Sequence, residues 1–179
     1  MTSPANHILY TYEDNHNAHK ALIAAQYGGV TNIVEQDIEF GVFNRTEEFY
    51  KLNPLGFVPT LKTVDGEGVF ESNAIARYVA AIGSDADGLL GKTAIERARV
   101  DQWIEAVSAY ISPNYYPLWA FRSDWGYAYD EEMFVKSREA IKAPLEAVER
   151  HFTQTSNQWL TGDRVTLADI ILIVSLTKL

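Results

Sequence analysis

Asn53-Pro54-Leu55-Gly56-Phe57-Val58-Pro59-Thr60-Leu61, followed a few residues later by Phe70-Glu71-Ser72-Asn73-Ala74-Ile75-Ala76, is the stretch whose reading decides the fold. Thr60-Leu61-Lys62-Thr63-Val64 and Gly68-Val69-Phe70 flank Asp65-Gly66, a strong signal for a β-hairpin. Directly after it, Ala74, Ile75, Tyr78, Val79 and Ile82 recur at helical spacing. Working backwards, a short helix over Thr46 to Lys51 ends ahead of Pro54. Val30 to Val34 reads as a strand, and the Ala-rich stretch from Asn17 to Tyr27 as a helix stopped by Gly28-Gly29. His7-Ile8-Leu9-Tyr10-Thr11-Tyr12 is rich in β-branched and aromatic residues and opens the unit as a strand.

The resulting order, β-α-β-α-β-β-α in about 80 residues, suits a small mixed sheet with helices on both faces, a thioredoxin-like arrangement. Gly83-Ser84-Asp85-Ala86-Asp87-Gly88 then reads as a polar, glycine-bounded linker, after which the pattern changes to long helices. Thr93-Ala94-Ile95-Glu96 is a capping box, and Val100, Trp103, Ile104, Val107 and Ile111 form one apolar stripe. Phe134, Ile141, Leu145, Val148 and Phe152 form another, with Pro144 expected to kink or break its helix. Thr166-Leu167-Ala168-Asp169 is a second capping box, opening a helix that is apolar on every side and needs protein around it. The fold class expected is therefore α/β plus all-α: residues 1–82 thioredoxin-like, 83–92 a linker, and 93–179 helical. Because Ile170 to Leu179 leaves nothing after it to cover that last helix, the helical domain is expected to be incomplete.

Charge and composition remove several functional classes. Among 179 residues, 15 Lys and Arg stand against 24 Asp and Glu, a net charge of −9. Residues 1–82 carry 5 basic against 10 acidic residues, so neither part has the basic surplus that binding a phosphate backbone requires. Direct nucleic-acid binding and anionic membrane surfaces are excluded on that ground. The absence of cysteine excludes disulfides, thiolate metal sites and a catalytic thiol on the protein, but not a thiol on a ligand. No leader-like or membrane-spanning stretch is visible, so a cytoplasmic protein is expected, and Asn44-Arg45-Thr46 reads as helix-entry chemistry rather than a glycan site. No G-x-x-x-x-G-K-[ST] phosphate loop occurs. His16 and His19 are spaced like ligands on a helix, but without a third ligand nearby no metal site is expected.

The stretches Asn53 to Leu61 and Phe70 to Ala76 resemble the cytosolic glutathione transferase superfamily. Lys20-Ala21-Leu22-Ile23-Ala24-Ala25-Gln26-Tyr27, Asn44-Arg45-Thr46, Phe70 through Ala76, and Gly162 through Ile170 resemble more sharply the transferase-like domains of elongation factor 1 gamma subunits. The resemblance implies a scaffold that anchors a beta-type nucleotide-exchange subunit of elongation factor 1. It admits a homodimer and implies no resident cofactor, with glutathione or a related thiol as the ligand.

For that ligand, the resemblance implies a cis bond before Pro59 that turns the Val58 backbone outward to pair with an extended peptide. It implies Glu71 and Ser72 at the γ-glutamyl end, the acid for an ammonium and the hydroxyl with the first-turn amides for a carboxylate. Helix capping by Ser72 is an equally good reading of that residue. The pattern is broken at the thiol end, where Asn15 stands in place of the superfamily's serine, and at the glycine end, where Phe57 replaces a lysine. Tyr12, at the end of its strand, is the first substitute donor and Asn15 the second, with ordinary packing the plainer reading of Tyr12. Slow turnover or none is expected, and the alternative to the scaffold is an active transferase that conjugates glutathione or a related thiol to electrophiles. The aromatic-rich region holding Tyr110, Tyr115, Tyr116 and Trp119 reads as an apolar substrate surface, a docking surface, or the packing of a helix connection.

Overall fold

A computed structural model describes residues 5–121 and 126–177, and the chain divides into two compact units, Met1–Leu90 and Gly91–Leu179. The first unit is built on a four-stranded sheet of order β2-β1-β3-β4, with β1 at His7–Thr11, β2 at Ile33–Asp37, β3 at Thr60–Lys62 and β4 at Gly68–Phe70. β1 pairs parallel with β2 and antiparallel with β3, which forms the expected hairpin with β4. Helices α1 (His16–Gly28), α2 (Glu47–Tyr50) and α3 (Ser72–Ile82) complete the thioredoxin-like arrangement.

β2 lies three residues later than its β-branched stretch suggested. Gly29 turns α1 off in a left-handed conformation, the Val30 amide bonds back to the Ala25 carbonyl, and pairing with β1 runs from His7↔Ile33 to Thr11↔Asp37. Glu35, Gln36 and Asp37 are poor strand formers, but on an edge strand they point into water and the ladder decides. Within the segment read as a linker, α4 (Ala86–Leu90) forms a short helix with Leu89 fully buried. The chain leaves α3 through Gly83, whose added Cβ would lie 2.8 Å from the Gly28 Cα, and Ser84 donates its amide and hydroxyl to the Gly28 carbonyl. Asn44 is buried and spans the loop from Gly41 to Gly56, while Thr46 caps α2 through the Phe49 amide. The Asn44-Arg45-Thr46 triplet is thus loop and cap chemistry.

The second unit is helical. Thr93 caps α5 (Ala94–Ala106), which continues through a π-helical turn (Val107–Ile111) into α6 (Ser112–Ala120). The Ser112 amide bonds the Val107 carbonyl across the wide turn. α7 (Glu131–Thr155) runs through Pro144 without a break, so that proline costs one hydrogen bond rather than ending the helix. α8 (Leu167–Leu176) buries Leu167, Ala168, Ile170, Ile171 and Val174, whereas Ile173 is 57% exposed, so the helix is apolar all round but not covered all round. Asp169 anchors its start by accepting from the Leu160 amide, the Thr166 amide and the Thr166 hydroxyl at 2.8–2.9 Å. No described helix is long and apolar enough to cross a membrane.

Candidate functional site

Three segments of the first unit carry the residues that the resemblance assigns to the site. Asn53 shapes the first. Buried beneath the loop, it donates to the Phe57 carbonyl and the Thr60 hydroxyl and accepts from the Leu55 amide. Gly56 sits at φ +66°, and an added Cβ there would meet the Asn44 carbonyl at 2.9 Å, so this turn requires glycine. The loop delivers Val58–Pro59 with the cis peptide bond that the resemblance implies. Among the described residues, neither the amide nor the carbonyl of Val58 has a hydrogen-bond partner. Phe57 is 56% exposed, and the Arg45 guanidinium lies 6.0 Å from its ring centroid. A cation therefore remains beside the position where lysine is missing, supplied from another loop.

The second segment is the start of α3. Glu71 holds the N-cap position at φ +69°, a conformation L residues rarely adopt and one that costs about 1–3 kcal/mol, and it makes no side-chain cap bond. Ser72 is already inside the helix and does not cap it. Its Oγ instead accepts from Lys20 Nζ at 3.1 Å, and Asn73 Oδ1 accepts from the same ammonium at 3.0 Å. Lys20 comes from α1, is only 5% exposed, and has, among the described residues, two neutral acceptors and no carboxylate within ion-pair distance. Burial lowers its pKa from 10.5 to about 8, partly opposed by the charge of Glu71. A hydroxyl that accepts from an ammonium has its own proton left to donate, so Ser72 is a donor at this end. Sequence reading missed Lys20 as a site residue. Its place among the alanines of α1, a lysine on a face otherwise buried, was the available signal.

The third segment is the thiol end implied by the resemblance. Just beyond the carboxyl ends of β1 and β2 lies a cleft of about 370 Å³ lined by Tyr12, Glu13, Asp14, Asn15, Glu35 and Asp37, with His19. Tyr12 follows β1 directly and packs edge-on against Phe40 at 6.4 Å. Asn15 is 1% exposed and caps α1, its Oδ1 accepting from the Asn17 amide at 3.1 Å, while its Nδ2 has no partner among the described residues. Four carboxylates line this cleft and no lysine or arginine does. Such surroundings disfavour a thiolate, because like charges at close range raise a thiol pKa. His16 is buried and His19 exposed.

In the second unit the aromatic residues separate. Tyr115 is buried in the core, which pushes its pKa up to about 12, whereas Tyr110 and Tyr116 are exposed. The Tyr116 and Tyr127 hydroxyls lie 3.3 Å apart, and Tyr129 packs between Phe121 and Phe134. The Trp119 side chain and Trp125 lie outside the described residues. These aromatics are therefore divided between core and surface, and Tyr115 belongs to packing.

Residues 16–82 match the family of glutathione S-transferase N-terminal domains, and residues 101–178 match the glutathione S-transferase C-terminal domain. Glutathione S-transferase I from maize, solved with an atrazine glutathione conjugate, superposes with a TM-score of 0.83 over 96% of this chain and 80% of that one, at 27% identity. "Probable elongation factor 1-gamma 2" of Arabidopsis thaliana is 43% identical over 94% of this chain, and "Elongation factor 1-gamma-A" of Xenopus laevis 39% identical over the same share. The chain spans 40% and 37% of the length of those two relatives. Sheet order, the cis-proline loop, the two matched domains and the superposition agree, and the chain belongs to the glutathione transferase superfamily.

Proposed function

We propose that this chain is the transferase-like part of an elongation factor 1 gamma subunit and works as a scaffold, anchoring the beta-type exchange subunit in the elongation factor 1 complex of the cytoplasm. The observation that carries the reading is the 39–43% identity to elongation factor 1-gamma proteins along 94% of the chain. The thiol end supports it: the cleft beside Tyr12 is acidic, and Asn15, at the expected donor position, is only 1% exposed. Nucleotide-exchange chemistry then belongs to the partner. A pull-down from cytosol with the folded protein as bait tests this. Recovery of the beta-type subunit at low salt is expected, and its absence refutes the scaffold role.

Weak binding of glutathione, without efficient turnover, is the second reading. It is favoured by the unpaired peptide groups of Val58 and by the donors gathered at the start of α3. In this reading the Val58 backbone pairs with the tripeptide, the Glu71 carboxylate takes its ammonium, and the Ser72 hydroxyl with the first-turn amides takes its carboxylate. Tyr12 would be the donor to the sulfur. Lowering a thiol pKa by about two units requires about 2.7 kcal/mol of differential stabilisation, which one charge-assisted hydrogen bond of about 1.5–3 kcal/mol can supply. Four neighbouring carboxylates work against it. Conjugation of an aryl halide should therefore be slow near pH 7 and rise steeply with pH.

A further inference from the structure

The second unit holds a concavity of its own. A cleft of about 640 Å³ opens where the start of α5 meets the loop leading into α8, with Val100 and Thr166, both buried, in its floor. Three cations line it from three separate stretches of backbone: Lys92 before α5, Arg99 on α5, and Arg164 before α8. In a chain of net charge −9 such a gathering is unexpected.

The cleft is held in shape by bonds that leave the charges of Lys92 and Arg99 unused. Gly91, at φ +94°, lies so close to α5 that an added Cβ would meet the Arg97 amide at 2.8 Å. The Arg97 side chain donates to the Gly91 carbonyl at 3.0 Å and to the Lys92 carbonyl at 3.4 Å, pinning the loop that carries Lys92. Glu96 accepts from the Lys92 amide at 2.8 Å, which holds its carboxyl below the usual range, and its Oε2 lies 4.0 Å from Arg164 Nη2. Neither the Lys92 nor the Arg99 side chain has a hydrogen bond or ion pair among the described residues. Two such cations beside a third repel one another, and an anion in the cleft relieves that repulsion.

We propose that this cleft binds a phosphate monoester group. Cations arriving from three segments suit a compact dianion with several terminal oxygens, whereas one planar carboxylate engages a single fork. Asp163 and Glu96 on the same walls, with the acidic chain around them, oppose an extended polyanion, so a nucleic-acid backbone does not fit. The volume accommodates a phosphorylated side chain of a protein or a small phosphate ester.

The test is a titration of the whole chain with inorganic phosphate at constant ionic strength, followed through the amide resonances of Gly91, Thr161 and Gly162. Saturable shifts are expected there, and Lys92→Gln with Arg99→Gln should weaken binding about tenfold or more. Lys136→Gln, on the exposed side of α7, should leave it unchanged. Unperturbed resonances elsewhere show that each variant is folded. A phosphoserine peptide and adenosine 5′-monophosphate then separate the two sources, the right one binding more tightly than inorganic phosphate. Shifts that fail to saturate, that sodium chloride reproduces, or that survive the double substitution overturn the proposal. So does a preference of neither ester over inorganic phosphate, which would mean an adventitious ion only.

Discussion

Lys20→Met should abolish a pH dependence of stability that the native protein shows between pH 7.5 and 9.5. The native ammonium is 5% exposed and hydrogen-bonded, among the described residues, only to Ser72 and Asn73, and its pKa falls from 10.5 to about 8. That fall corresponds to about 3 kcal/mol of native-state destabilisation while the proton is bound. Its sign follows from proton counting. Below about pH 8 folded and unfolded chains both hold the proton, and the folded state bears the full penalty. Between about 8 and 10.5 the folded chain has released it and the unfolded chain has not, so stability rises with pH. Integrated from pH 7.5 to 9.5, the gain is roughly 2 kcal/mol. Tyr10 and Tyr115, whose pKa values burial raises, titrate in both proteins and cancel in the comparison. Urea unfolding at several pH values measures the effect, and without cysteine no thiol oxidation intervenes. At pH 7.5 the variant gains the relief of the buried charge and loses two hydrogen bonds to neutral acceptors, about 1 kcal/mol each, so it should be as stable as the parent or somewhat more. Parallel pH profiles for the two proteins would refute the argument.

Asp169→Ala should destabilise the helical unit by about 3–5 kcal/mol, because it leaves the Leu160 amide and the Thr166 amide and hydroxyl without their buried acceptor, as denaturant midpoints would show. Gly83→Ala should cost about 1–3 kcal/mol, since its methyl would lie 2.8 Å from the Gly28 Cα where α1 and α3 come together, and thermal unfolding would read this. Tyr12→Phe should change a slow aryl-halide conjugation little if the acidic cleft leaves the thiol protonated. A fall of about tenfold or more, roughly 1.4 kcal/mol in the barrier, would make Tyr12 a working donor and raise the transferase reading above the scaffold one. Asn15→Ala should lower stability by about 1 kcal/mol through the lost cap and leave conjugation unchanged.

Local signals carried much of this architecture. Asp65-Gly66 between apolar runs, Gly28-Gly29 after an alanine-rich stretch, and the Thr93 and Thr166 capping motifs each act within a few residues, and each appears where its chemistry requires. β2 lies later than its β-branched stretch because its position is set by pairing with β1 across the sheet, and Glu35-Gln36-Asp37 carry no strand signal of their own. Pro144 does not break α7 because the rest of that long helix holds it, a tertiary effect outweighing a local preference. The aromatic run from Tyr110 to Tyr129 could not be divided into core and surface by composition, since burial of Tyr115 depends on which face the π-helical turn presents. For the candidate site, motif positions brought Val58, Pro59, Glu71 and Ser72 to notice. Lys20 and Arg45 lay beyond that reading, because the contacts of Lys20 span 52 and 53 residues and the stacking of Arg45 on Phe57 spans two loops.

The central claim is that this domain holds a partner rather than turns over a substrate. Titration of the folded chain with the purified N-terminal region of a beta-type exchange subunit, followed by calorimetry, measures it directly. The account predicts saturable binding whose affinity is the same in Asn15→Ala, because that cap is buried and closed to a partner. No detectable binding by a chain that readily conjugates glutathione at pH 7 would contradict it.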